Sequence, residues 1–173
     1  QTLYRQGPKR MKIAGPAPDA VLLHADAHMV HARAASHEVN VINERIIMRS
    51  DNGWWLIHDR LISETPHDYD LRFQLSPETH DHVHQVELAN GTRAFLSPDL
   101  LVVPITSNAA QLTIEQGWVA PRYGERYSAP RLRVSQRESS GWFSTLLLPF
   151  RGEMPDIDFA CDALLARVRI GDG

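Results

Sequence analysis

Two residues in the first third of this chain, Asn52 and Gly53, constrain its fold more than any others. They part VNVINERIIMRS from WWLIHDRLIS, two runs rich in β-branched and aromatic residues. Asn-Gly in that setting is a strong hairpin signal. A two-residue turn asks both positions for positive φ, which Asn and Gly tolerate best. Along the first run Ile42, Ile46 and Met48 fall on one side, and Asn43, Arg45 and Arg49 on the other. The return run carries Trp54, Trp55, Leu56, Ile57, Leu61 and Ile62, too apolar for both faces to meet water. A third strand at 71–75 is expected to add on after the Glu64-Thr65-Pro66 turn. Together these predict the centre of an antiparallel sheet whose apolar face needs a second layer.

The rest of the chain repeats the pattern. Segments 83–88 and 92–96 flank a second Asn-Gly turn at Asn90-Gly91, and 100–106 and 111–116 read as two more strands. Residues 118–130 read as a long irregular loop with Tyr123-Gly124 at its middle. Segment 131–136 alternates, and Ser139-Ser140-Gly141 turns it into WFSTLLLPF. Residues 20–36, rich in Ala and His, read as strands because everything after them does. The tail at 156–170 contains FACDALLARV and suggests a short helix. About ten short strands parted by turns predict an all-β fold, an antiparallel two-sheet β-sandwich with little helix. Residues 1–19, basic and rich in Pro and Gly, read as an arm or linker, and 20–173 as one sandwich domain.

Composition removes several alternatives. A net charge of −3 and pI near 6.3 argue against a general nucleic-acid binder. Cys161 stands alone, so no intrachain disulfide forms. No apolar run approaches the ~20 residues of a membrane-spanning helix. The opening QTLYRQGPKR has neither an initiator Met nor a signal peptide's apolar segment, as expected of a mature chain or a piece of something longer. Gly-rich phosphate loops, nucleophile elbows and CxxC pairs are absent from the sequence.

Four groups of residues could carry chemistry. His80, His82 and His84 alternate in THDHVHQVEL and would share one face of a strand. Neighbouring pairs could chelate zinc with a ligand from elsewhere, such as His58, His67 or Asp59. The outer two, ~13 Å apart by strand rise, could not without bending. The alternative is a solvated strand start kept polar by Glu78 and Asp81. His24, His28 and His31 have helical spacing, which a β reading scatters. Asp59, inside an apolar strand, needs a partner, and an ion pair with Arg45 or Arg60 that fixes register is expected. Finally, residues 118–137 hold Arg122, Arg126, Arg131, Arg133 and Arg137 against Glu125 alone, beside Trp118, Tyr123 and Tyr127. Guanidinium groups grip carboxylate and sulfate with two parallel hydrogen bonds, and aromatic rings stack on sugars, so an anionic polysaccharide fits Trp118, Arg122, Tyr123, Arg131 and Arg133. The competing reading is a solvated charged face that stops sheets associating.

The runs GWWLIHDRLISETPHDYDLRFQLSPE, VELANGTRAFLSP, SNAAQLTIEQGWVAPRYGERYSAP and WFSTLLLPF together resemble the C-terminal β-sandwich of the heparinase II/III-like polysaccharide lyases, over about residues 37–150. The resemblance implies a larger parent with an N-terminal helical toroid and a substrate cleft between toroid and sandwich. It implies β-elimination on uronate-containing polysaccharides, and export to the periplasm or beyond. In the family the base and acid are Asn, Tyr and His residues, with a zinc motif of the form His-x-His-x-Asp and a later Ala-His-Asn-Thr. LLHADAH holds only His24-Ala25-Asp26, so no catalytic or zinc residue carries over and no cofactor is expected. The chain then reads as the far end of a lyase, non-catalytic alone, holding acidic polysaccharide. Two other readings remain: a stand-alone carbohydrate-binding sandwich and a small metalloenzyme using the His80-His82-His84 strand.

Overall fold

At the Asn52-Gly53 turn the chain bends with one left-handed residue. Gly53 has φ 88° and no residue other than glycine has positive φ among those described. Gly53 N–H donates to the Ser50 carbonyl (3.1 Å) and Ser50 N–H to the Trp54 carbonyl (2.9 Å). The result is a three-residue loop ending in a left-handed glycine, and not the expected two-residue turn. Asn90-Gly91 repeats it, with Gly91 N–H on Leu88 and Leu88 N–H on Thr92.

The computed structural model describes residues 20–36, 39–162 and 166–171; the expected arm at 1–19 lies outside them. The described residues hold thirteen strands, a short 3₁₀ turn at Pro77–Thr79 and no α-helix. The first five strands are β1 (Val21–Ala25), β2 (Met29–Ala35), β3 (Ile42–Arg49), β4 (Trp55–Ile62) and β5 (His67–Gln74). Next come β6 (His84–Glu87), β7 (Arg93–Leu96), β8 (Leu100–Thr106) and β9 (Gln111–Val119). The last four are β10 (Tyr127–Glu138), β11 (Gly141–Pro149), β12 (Ile157–Cys161) and β13 (Ala166–Ile170).

An eight-stranded antiparallel sheet in the order β1-β2-β3-β4-β11-β8-β7-β6 forms the middle layer. A three-stranded sheet, β5-β10-β9, covers one face, and the hairpin β12-β13 covers part of the other. Between the two sheets pack Leu61, Tyr69, Leu71, Phe95, Val102, Leu112, Leu132, Val134 and Phe143. On the opposite face Leu56, Leu101, Val103, Leu146 and Leu148 meet Ile157 and Phe159. Strands β8 and β11 are buried on both faces, which is why LLVVPI and WFSTLLLP read as unbroken apolar runs.

This arrangement corrects the expected place of the third strand. β5 does not extend the β3-β4 hairpin; it crosses to the outer sheet and pairs with β10. The free edge of β4 is taken by β11 instead. β5 alternates buried Tyr69 and Leu71 with Asp68, Asp70 and Arg72, so it suits a half-solvated layer. β11 is apolar on both sides and suits the centre. The tail is also corrected: instead of a short helix, Ile157 and Phe159 alternate inwards as a strand, although residues 163–165 of the expected helix lie outside the described residues. The loop expected at 118–130 shrinks to 120–126, because β9 runs on through Trp118 to Val119 and Tyr127 opens β10.

Asp59 is buried and directly opposite Arg45 on β3. Arg45 grips it with Nε on Oδ1 (2.5 Å) and Nη2 on Oδ2 (3.0 Å). Arg60 turns to Glu44 on the other face (3.8 Å). The pair locks β3 against β4, because a slip of one residue would bury the carboxylate without its cation.

Candidate functional site

The arginines of β10 and the loop before it fall into two groups. Arg131, Arg133 and Arg137 alternate with buried Leu132, Val134 and Gln136, and so stand on the outer face of the three-stranded sheet. Neighbouring strands supply carboxylates at the same level. Arg131 Nη2 donates to Glu115 Oε2 (2.8 Å), and Arg133 Nη1 to Glu115 Oε1 (3.1 Å). Arg133 Nε also donates to Asp70 Oδ1 (2.8 Å), which holds Arg72 as well (2.7 Å). Arg137 meets Asp68 (2.9 Å). The hydrogen bond from Arg131, reinforced by Arg133, holds the Glu115 carboxyl below its ordinary value, and Asp70 and Glu115 raise that of Arg133. Four arginines and three carboxylates form one ladder, so the positive stripe of the sequence is largely neutralised in the fold.

The second group sits on the β9-β10 hairpin tip. Trp118 shares its side of β9 with buried Leu112, yet lies past the end of the core and is 47% exposed. Arg126 leaves the loop and lays its guanidinium over the Trp118 ring, 3.7 Å from the centroid. Glu125 N–H donates to the Arg122 carbonyl (3.2 Å), and Gly124 has φ 81°, so the turn puts Tyr123 at its apex, fully exposed. The loop's only carboxylate, Glu125, accepts from the Tyr127 hydroxyl (3.2 Å). Among the described residues, neither Arg122 nor Arg126 has a carboxylate within ion-pair distance. Of the five predicted contact residues, Trp118, Arg122 and Tyr123 therefore stand at the tip, while Arg131 and Arg133 stand in the ladder on the shaft. Arg126, which those five omit, stacks on Trp118. The two flank one Pro- and Gly-containing loop, Trp118 in the strand before it and Arg126 at its last position, which is the signal that finds it.

The histidines disperse. His80 closes the 3₁₀ turn that Pro77 opens, with its N–H on the Pro77 carbonyl (3.1 Å) and its ring on Asp81 (3.2 Å). His82 continues that turn, and only His84 lies in a strand, so the expected three-residue strand face is not formed. Proline at a first helical position favours the turn over extension. Among the described residues no three His, Cys, Asp or Glu side chains gather as a metal site would need. His24, His28 and His31 each face a carboxylate of their own: Asp26 (2.8 Å), Asp51 (3.6 Å) and Glu44 (2.7 Å). The His24 bond, joined by the His28 and Met29 N–H groups that Asp26 also accepts, lowers the Asp26 carboxyl to about 2.

A cleft of about 300 Å³ opens between the middle sheet and the C-terminal hairpin, lined by Glu44, Met48, His58, Arg60 and Cys161 among others. Its polar groups are turned on one another. His58 Nδ1 lies 2.6 Å from Ser144 Oγ, and Cys161 Sγ lies 2.9 Å from the same oxygen. Burial lowers the His58 imidazole's value against the pull of Asp59, and raises that of the Cys161 thiol. Ser144 is fully buried, out of reach of a polymer. Sequence reasoning missed this trio because His58 and Ser144 are 86 positions apart.

Two facing antiparallel sheets define an all-β sandwich domain, with exposed aromatic and cationic groups on one hairpin tip. A family model described as "Heparinase II/III-like, C-terminal" matches residues 14–155, and the chain belongs to that family. Among solved structures it is similar to a heparinase III with methylated lysines: 14% identity, TM-score 0.69, covering 87% of this chain and 26% of that one. A heparan sulfate lyase HepC mutant from Pedobacter heparinus gives 14% identity and TM-score 0.67, over 88% of this chain and 27% of that one. Another heparinase III gives 15% and 0.66, over 88% and 25%. These likenesses show the fold, and the chain spans about a quarter of the length of those enzymes. No curated protein sequence matches it.

Proposed function

We propose that this chain serves as the C-terminal sandwich of a larger polysaccharide lyase, which cleaves uronate-containing acidic polysaccharide by β-elimination in the periplasm or outside the cell. In this reading an N-terminal helical toroid of the same parent supplies the base and acid, and the sandwich supplies one wall of the substrate cleft. The observation that carries it is the family match over 14–155, joined to a likeness that covers most of this chain but only a quarter of each enzyme. Chemistry supports a division of labour. The proton removed lies α to a carboxylate, and its loss needs a base, an acid and a neutralising donor converging on one sugar ring. Here the polar trio His58-Ser144-Cys161 is gathered around a buried hydroxyl. The surface that meets polymer in this reading is the tip of the β9-β10 hairpin, which carries Trp118, Arg122 and Tyr123, while Arg131 and Arg133 are held by carboxylates along its shaft.

The test is to mix the purified chain with heparan sulfate and with alginate and to follow the ultraviolet absorbance of unsaturated uronate. No rise is expected. Steady turnover by the chain alone would overturn the division of labour.

A further inference from the structure

The two groups of arginine on one hairpin have opposite consequences for an anionic ligand. We propose that the hairpin tip, not its shaft, is the anion site: Trp118 and Arg126 form a preset clamp for a sugar-borne carboxylate or sulfate, with Arg122 as its second cation. This rests on the polysaccharide reading above and narrows it to particular side chains.

A guanidinium can be held still in two ways. Carboxylates hold it by occupying its N–H donors and cancelling its charge, as Glu115, Asp70 and Asp68 do along the shaft. An aromatic ring holds it by its flat face, leaving the charge and the in-plane donors for something else. Arg126 over Trp118 is held in the second way. The loop's carboxylate, Glu125, accepts from Tyr127 and, among the described residues, lies within ion-pair distance of neither Arg122 nor Arg126. Pro121 fixes one backbone dihedral and the Glu125 N–H bond to the Arg122 carbonyl closes the turn, so less ordering remains to be paid on binding. Arg122, Tyr123, Arg126 and Tyr127 are all exposed. A sugar ring arriving there can place its carboxylate or sulfate in the fork of Arg126 and rest an apolar face on Tyr123 or Tyr127.

The experiment is calorimetric titration of the full chain at low salt with three probes of equal length: a heparin hexasaccharide, a hexagalacturonate and neutral maltohexaose. Binding of at least one anionic probe is expected, weakened by added salt, with no heat from maltohexaose. Trp118→Ala and Arg126→Ala should each weaken it roughly tenfold, the scale of one charge-assisted hydrogen-bonded contact. Arg126→Lys should recover only part of the loss, because an ammonium lacks the fork. Arg133→Gln, verified as folded by circular dichroism, should leave affinity within about twofold. The proposal is overturned if no anionic probe binds, if maltohexaose binds as well, or if Arg133→Gln costs as much as Arg126→Ala. An absence of binding would remove the clamp but leave the absorbance result, and so the lyase-domain reading, standing.

Discussion

The shaft and the tip of the β9-β10 hairpin are built from the same residue types and do different things. On the shaft, arginines at 131, 133 and 137 meet carboxylates from both neighbouring strands, and the face is close to neutral. At the tip, Arg126 meets an indole and Arg122 meets no carboxylate among the described residues, so the charge persists. A count of arginines along the chain treats the two alike. What separates them is which side chains the sheet brings alongside, and that follows from β5 crossing to the outer layer with Asp68 and Asp70.

If the shaft is a structural element, its stability belongs to the buried side of β10. Leu132 is fully buried and alternates with the ladder arginines. Leu132→Ala should therefore have the largest effect, about 2–5 kcal/mol by urea denaturation. Arg133→Ala, one residue along on the wet face, should show a small fraction of it. A ladder variant as damaging as the core variant would erase this part of the contrast.

The next effect in size is acid sensitivity. Glu115 has an ordinary value of 4.5, lowered in the fold by Arg131 and then by Arg133. A carboxyl lowered in the native state binds protons more readily when unfolded. Its contribution is thus complete above pH 4.5 and is withdrawn as pH falls below that through the folded value. Glu115→Gln should flatten the acid limb of the stability curve while changing nothing at the tip. An unchanged acid limb would mean the ladder is not coupled to folding.

The smallest effect on stability is expected where binding suffers most. Arg126→Ala removes one exposed contact with an aromatic ring, worth about 0.5–1 kcal/mol, and should shift Trp118 fluorescence. A larger loss of stability would make Arg126 a structural residue and blur its separation from Arg133.

Much of the fold was legible in the sequence because it is written locally. Period-two alternation, the Asn-Gly turns at 53 and 91 and the Asp59 pairing all depend on neighbours within a strand or hairpin. The family resemblance was legible too, through ordered runs rather than a catalytic signature. What stayed hidden depends on distant partners. Asp70 is 63 positions from Arg133 and Asp68 is 69 from Arg137, so the neutralised ladder looked like an unbalanced positive stripe. The tail's Ala and Leu content suggested helix, but the open apolar face of β8 and β11 takes Ile157 and Phe159 as a strand. The alternating histidines at 80, 82 and 84 mimicked a strand until Pro77 set a helical turn ahead of them.

The most direct test follows the arginine Nε–H resonances of the isotope-labelled chain during titration with a heparin hexasaccharide. One spectrum reads both regions at once. The Arg126 signal should move and saturate while the Arg131 and Arg133 signals hold their positions. Movement of the ladder signals with Arg126 unmoved would contradict the assignment of binding to the tip.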